Sequence, residues 1–198
     1  YSLGMDITHF SNSAFKVPNL GLNVPFMSLG YSRKIGNVRN ANTDKKSNFI
    51  RKKIYFGGSA MASLKELMPE GGEKYPVYAG NFFVRSIFGV RAGLEVGLDV
   101  FSNQSHVEFE PLVSKTQWTL LQLGLYSAYI IPMNHIHFIF GMGAYIRDWY
   151  KPNGPLYHRI GLRYQWFNGL FGHMAIKSHW AKADYLELGI GFVFNRSK

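Results

Sequence analysis

The stretch Tyr185-Leu186-Glu187-Leu188-Gly189-Ile190-Gly191-Phe192-Val193-Phe194 alternates bulky apolar residues with small or polar ones. Leu186, Leu188, Ile190, Phe192 and Phe194 share one parity, and Glu187, Gly189, Gly191 and Val193 the other. A period of two marks a β-strand, whose successive side chains leave on opposite faces. About ten residues is also the length a tilted strand needs to cross a bilayer. A soluble sandwich would bury the greasy face against a second sheet. A membrane barrel turns that face out to lipid and folds the small, partly charged face around a narrow lumen.

The same division recurs upstream. In Ala92–Phe101, Leu94, Val96, Leu98 and Val100 oppose Gly93, Glu95, Gly97 and Asp99. In Ile136–Arg147, Ile136, Phe138, Phe140, Met142, Ala144 and Ile146 oppose His137, Ile139, Gly141, Gly143, Tyr145 and Arg147. Further strands are expected over Tyr1–Ser11, Asn23–Lys34, Ile54–Lys65, Tyr75–Ile87, Trp118–Ile131, Tyr157–Phe167 and Phe171–Trp180. The fold read from this pattern is all-β, an antiparallel transmembrane β-barrel with about ten strands in this chain, residues 1–198 forming one barrel domain. Turn formers at Gly89-Val90, Pro132-Met133-Asn134, Pro152-Asn153-Gly154-Pro155 and Asn168-Gly169 punctuate it. With the first strand running upward, the tight turns near Gly89, Pro132 and Asn168 fall at the bottom. The longer connections, Asn103–Gln117 and Lys151–Pro155, fall at the top, as in bacterial outer-membrane barrels. The connection Ile35–Phe49 breaks this rule, being long and basic at the nominal bottom.

Composition narrows the function classes. Aromatic residues make up 16% of the chain, well above ordinary globular usage. No run approaches the roughly 18 apolar residues of a membrane-spanning helix, so any span is made of strands. There is no cysteine, hence no disulfide framework and no thiolate metal site. A net charge of +10 raises nucleic acid as a partner. The densest basic stretch, Lys45, Lys46, Arg51, Lys52 and Lys53, has neither the interleaved aromatics of a single-strand platform nor a recognition helix. It fits a solvated connection or an anionic lipid surface, and no nucleic-acid partner is expected. The chain opens at Tyr1 without an export signal, which is expected to lie upstream or to have been removed.

Glu95, Asp99 and Glu187 share the lumen parity with Arg147, Arg159, Arg163 and Lys177, so both signs are available for internal ion pairs. His137, His173 and His179 read as barrel filling, since their spacing is not that of a metal site.

In the first strand Tyr1, Leu3, Met5, Ile7, His9 and Ser11 share one parity, so His9 and Ser11 continue an apolar stripe. Residues two apart on a strand lie roughly 6.5 to 7 Å apart at Cα on one face, close enough for an imidazole to meet a hydroxyl. A Ser beside a His is the minimum unit for acyl transfer. At the top of a lipid-facing stripe the pair would sit where a lipid's ester bonds lie. By itself, His-x-Ser is a weak signal and reads first as an ordinary interfacial pair.

The stretch His9-Phe10-Ser11-Asn12, followed by Pro18-Asn19-x-Gly21, resembles the PagL family of outer-membrane lipid A 3-O-deacylases. That family is an eight-stranded barrel with catalytic Ser and His on its outer surface, and it removes an ester-linked acyl chain from lipid A without a metal or other cofactor. The resemblance implies Ser11 as nucleophile, His9 as general base, and Asn12 and Asn19 at the oxyanion hole; as plain sequence, the two asparagines also suit a turn. Where the family carries a Glu on the adjacent strand to orient the His, this chain has Asn23. An Asn can hold the imidazole tautomer but brings no charge to stabilise imidazolium. A second resemblance, carried by Gly154-Pro155-Leu156-Tyr157 and by Lys177-Ser178-His179-Trp180-Ala181-Lys182-Ala183-Asp184-Tyr185, is to the larger acyloxyacyl hydrolase-type proteins of the Bacteroidetes. It implies further barrel strands upstream of Tyr1 in a longer precursor. Lys177 and Lys182 are candidates for lipid phosphates, with lumen filling and a solvated connection as the alternatives.

The function expected is that of an outer-membrane serine esterase acting on lipid A of lipopolysaccharide, with outer-membrane lipids as its partners. The alternatives are a non-catalytic structural or lipid-binding barrel, a porin, which needs an open lumen, and a soluble lipocalin-like barrel, which needs its apolar residues inside.

Overall fold

The computed structural model describes residues 1–11, 21–33, 53–67, 69, 71–108, 116–149, 154–180 and 182–194. Ten strands follow in order: β1 (Ser2–Phe10), β2 (Leu22–Gly30), β3 (Lys53–Glu66), β4 (Lys74–Gly89), β5 (Ala92–Asn103), β6 (Leu121–Met133), β7 (Ile136–Arg147), β8 (Leu156–Gln165), β9 (Leu170–His179) and β10 (Lys182–Phe194). The barrel takes only eight of them. Strands β3 to β10 close in sequence order, β10 pairing with β3, while β1 and β2 form a separate two-stranded sheet. Every pairing is antiparallel. The strand expected from Trp118 begins later, because Gln117–Leu120 form one helical turn first. There the Arg147 guanidinium lies 3.6 Å over the Trp118 ring and donates to the Trp118 carbonyl at 3.1 Å.

The two ends of the barrel differ. At one end the chain reverses tightly after β4, β6 and β8. Asn134, and the Asn168-Gly169 pair, take left-handed backbone angles there, φ 57°, 63° and 86°, conformations that Asn and Gly adopt at least cost. The connections after β3, β5 and β7 lie at the other end and are longer, while the one after β9, also at that end, is short, running from His179 to Lys182 with Trp180 at φ 53°. The connection Ile35–Phe49 lies outside the described residues. It precedes the first strand of the closed barrel, so it is not one of the barrel's turns and breaks no rule about them.

The barrel is inverted relative to a soluble one. Outward positions such as Leu94, Leu98, Phe82, Ile160, Leu188 and Ile190 are exposed, while Arg159, Arg163, Lys177, Glu95 and Glu187 are buried inside. Each buried charge finds a partner, as the low dielectric demands. Glu95 accepts from Arg85 at 2.9 Å and Arg163 at 2.7 Å. Arg159 grips Glu187 through two bonds of 2.6 and 3.1 Å and reaches Asp99 at 3.0 Å. Asp99 also accepts from Tyr157 at 2.5 Å and Asn81 at 2.7 Å. Gly124 and Gly143 make room for the Tyr157 ring, since a Cβ on Gly143 would come within 2.1 Å of it. With Phe101, Tyr157, Phe171 and Tyr185 also fully buried, the lumen is a packed core rather than a channel.

Candidate functional site

The His-x-Ser segment lies on the β1–β2 hairpin. Its register runs from Ser2↔Gly30 through Met5↔Met27 and Ile7↔Pro25 to His9↔Asn23. Opposite residues of an antiparallel pair lie about 4.5 to 5.5 Å apart at Cβ. The backbone therefore sets position 9 directly across from position 23. Ser11, two residues on from His9, follows the strand's last residue and is exposed. Asn12 and Asn19 lie outside the described residues.

Both faces of the hairpin carry exposed apolar side chains. Leu3, Met5, Ile7, Met27 and Leu29 lie on one, each at least two-thirds exposed, and the Tyr1 and Tyr31 rings meet at 5.2 Å. On the other, Phe10, Leu22, Val24 and Phe26 are exposed beside Asp6, which accepts from Ser28 at 3.2 Å. The stripe leading to His9 and Ser11 is thus an exposed apolar surface, as its parity predicts. It is not part of the barrel wall, because β1 and β2 pair only with each other among the described residues.

Inside the barrel, the histidines and lysines divide by face. Lys177 is fully buried and donates to Tyr145 at 2.5 Å and Asp184 at 3.3 Å, ringed by Phe101, Tyr157 and Tyr185. It fills the lumen and cannot reach a lipid phosphate; Lys182 is exposed at the start of β10. His173 accepts from Arg163 at 3.2 Å, and His179 lies 3.3 Å from the Tyr145 hydroxyl. His158 alternates out of the lumen between Tyr157 and Arg159 and stands opposite Ser178, a placement outside the histidines expected to fill the barrel. Its parity was the available signal.

Near the long-connection end, His106 follows β5 in a 3-10 turn, Gln104–Glu108. Asn103 donates to its Nε2 at 3.1 Å and accepts from both the backbone and the hydroxyl of Ser105. Burial, with the Lys65 cation adding to it, pushes the His106 pKa down to about 4, so the ring is neutral and its Nε2 is an acceptor.

A family model described as the acyloxyacyl hydrolase C-terminal domain matches residues 50–196. No curated protein matches the chain, and no solved structure does. The matched stretch leaves the β1–β2 hairpin outside it and takes in all eight strands of the closed barrel, and the chain belongs to the PagL-type acyloxyacyl hydrolase family.

Proposed function

We propose that this protein is an outer-membrane esterase that removes an ester-linked acyl chain from lipid A of lipopolysaccharide, with its chemistry on the β1–β2 hairpin and its anchor in the barrel. The observation that carries the reading is the backbone register His9↔Asn23, with Ser11 two residues on from His9; it supports a base at position 9 oriented from position 23. Family membership supports the hydrolase class. The inverted barrel supports the membrane, and so do its exposed aromatics. Trp118, Trp149 and Trp180 ring the long-connection end, while Trp166, Phe167 and Tyr164 mark the short-turn end, as the two interfaces of a bilayer require. The long connections then face the cell exterior, and the upper wall lies in the lipopolysaccharide leaflet.

In this mechanism the Ser11 hydroxyl attacks the ester carbonyl as its proton passes to His9, and Asn12 and Asn19 donate hydrogen bonds to the oxyanion. Collapse expels the lipid A hydroxyl, which takes the proton from His9. Water, deprotonated by His9, then cleaves the acyl-Ser11 ester and releases the fatty acid. Asn23 holds the imidazole tautomer through its side-chain oxygen.

The competing reading is a barrel without catalysis, favoured by the uncharged Asn23. Mass spectrometry of lipid A decides between them. Wild type is expected to strip one acyl chain, Ser11→Ala to lose about 10³-fold or more in rate, and Asn23→Glu to raise the rate. Equal release by wild type and Ser11→Ala sinks the mechanism, and no release under any condition favours the non-catalytic barrel.

A further inference from the structure

The outer wall of β5 to β9 is apolar, aromatic or glycine at its outward positions apart from Ser102, Ser127, His158 and Ser178. Ser102 hydrogen-bonds to Gln117 and Gln104. The other three line a single groove of about 730 Å³ together with Tyr129, Phe140, Met142, Ile160 and Trp180. Their clustering follows from register: Ser127↔Met142, Met142↔His158 and His158↔Ser178 are consecutive partners across β6, β7, β8 and β9. One step toward the short-turn end runs a wholly hydrophobic row, Tyr129↔Phe140, Phe140↔Ile160 and Ile160↔Ile176.

Polar side chains facing hydrocarbon cost free energy unless something satisfies them. His158 is half-buried and packs 5.5 Å from the Trp180 ring; its Nδ1 is shielded and without a hydrogen bond among the described residues, which leaves Nε2 as the nitrogen that can meet a lipid in the groove. His158 and Ser178 both lie close to the long-connection ends of their strands, beneath the Trp180 of the interfacial ring. Hydrogen-bonding groups therefore sit nearer the interface and hydrocarbon-lining groups deeper, the order of polarity along an esterified acyl chain. A second groove on the wall, of about 540 Å³, has Phe56, Phe82, Val84, Val96, Leu98 and Leu125 outward. It suits any hydrocarbon tail and selects none.

We propose that the β6–β9 groove is a binding site for an ester-linked acyl chain of lipid A, with His158 and Ser178 donating to the ester carbonyl and the alkyl chain lying along Phe140, Met142 and Ile160. The site rests on the reading that this wall faces lipid with its long connections in the outer leaflet. The role assigned to His158 and Ser178 is to bind the lipid, with cleavage left to Ser11. The groove would present lipid A to the protein at a place separate from Ser11.

The test uses the full chain carrying Ser11→Ala, so that no lipid is consumed. Insertion into vesicles is followed by heat-dependent gel mobility, and lipid retention in detergent by native mass spectrometry, with hexa-acylated lipid A and phosphatidylethanolamine as probes. The expected result is preferential retention of lipid A. The His158→Ala/Ser178→Ala pair should weaken it about tenfold, as the loss of one to two hydrogen bonds predicts. Met142→Trp, which fills the groove and keeps the polar pair, should weaken it as well. Unchanged retention in both variants overturns the site while leaving the membrane reading intact. Equal retention and equal loss of phosphatidylethanolamine overturns the assignment to lipid A. A barrel that enters no vesicle overturns the membrane reading and the site with it.

Discussion

His106 shows how one side chain ties a connection to the barrel. Its folded pKa of about 4 lies below the ordinary value of 6.5, so between those values the unfolded chain binds a proton that the native fold excludes. Stability from the neutral ring is therefore present above pH 6.5 and is lost as pH falls toward 4. Protonation would also set an N–H against the Asn103 amide that donates to Nε2. NMR titration of the His106 ring in micelles is expected to give a midpoint near 4, and a midpoint near 6.5 would refute the buried neutral acceptor. At this scale the sequence was legible where chemistry repeats with parity. Arg159, Arg163, Glu95 and Glu187 could be assigned to the lumen from alternation alone. His158 carries the same kind of signal, yet one His inside an apolar stripe gains meaning only when Ser127 and Ser178 are found beside it. That adjacency is set by register between strands distant in sequence.

At the scale of elements, strand periodicity foretold all ten strands but could not say which ones share a sheet. Periodicity is local, whereas closure of β10 onto β3 depends on pairing Leu188 with Ala62 and Phe194 with Phe56, more than a hundred residues apart in sequence. The Asn168-Gly169 turn was legible because its left-handed angles demand those residues. The helical turn before β6 was not, because Trp118 and Leu120 suit either state. The strands of the barrel are joined across the lumen chiefly by Arg159, which binds Asp99 of β5 and Glu187 of β10 from β8. Arg159→Leu leaves two buried carboxylates without their cation, and removing one partner of such a set costs about 3–5 kcal/mol. The expected outcome is a markedly lower denaturant midpoint with the barrel still able to form. A midpoint equal to wild type would mean that Tyr157 and Asn81 alone satisfy Asp99.

Across the whole molecule, a two-stranded hairpin and a closed barrel are connected by a basic segment, and the proposed function divides the work between them. The barrel is closed by its own eight strands, has its own charged and aromatic core, and coincides with the family match at 50–196. The hairpin contributes no strand to that closure, but it holds His9, Ser11 and Asn23. A chain beginning at residue 50 is therefore expected to fold, to show the heat-dependent gel mobility of a closed barrel, to enter vesicles and to retain lipid A in the β6–β9 groove. The same fragment should release no fatty acid. Loss of folding in the fragment would show that the hairpin completes the barrel's structure, since only a missing contact could destabilise a sheet with no open edge. Release of fatty acid by the fragment would instead move the chemistry from Ser11 onto the barrel wall, where His158 and Ser178 are the next pair to substitute.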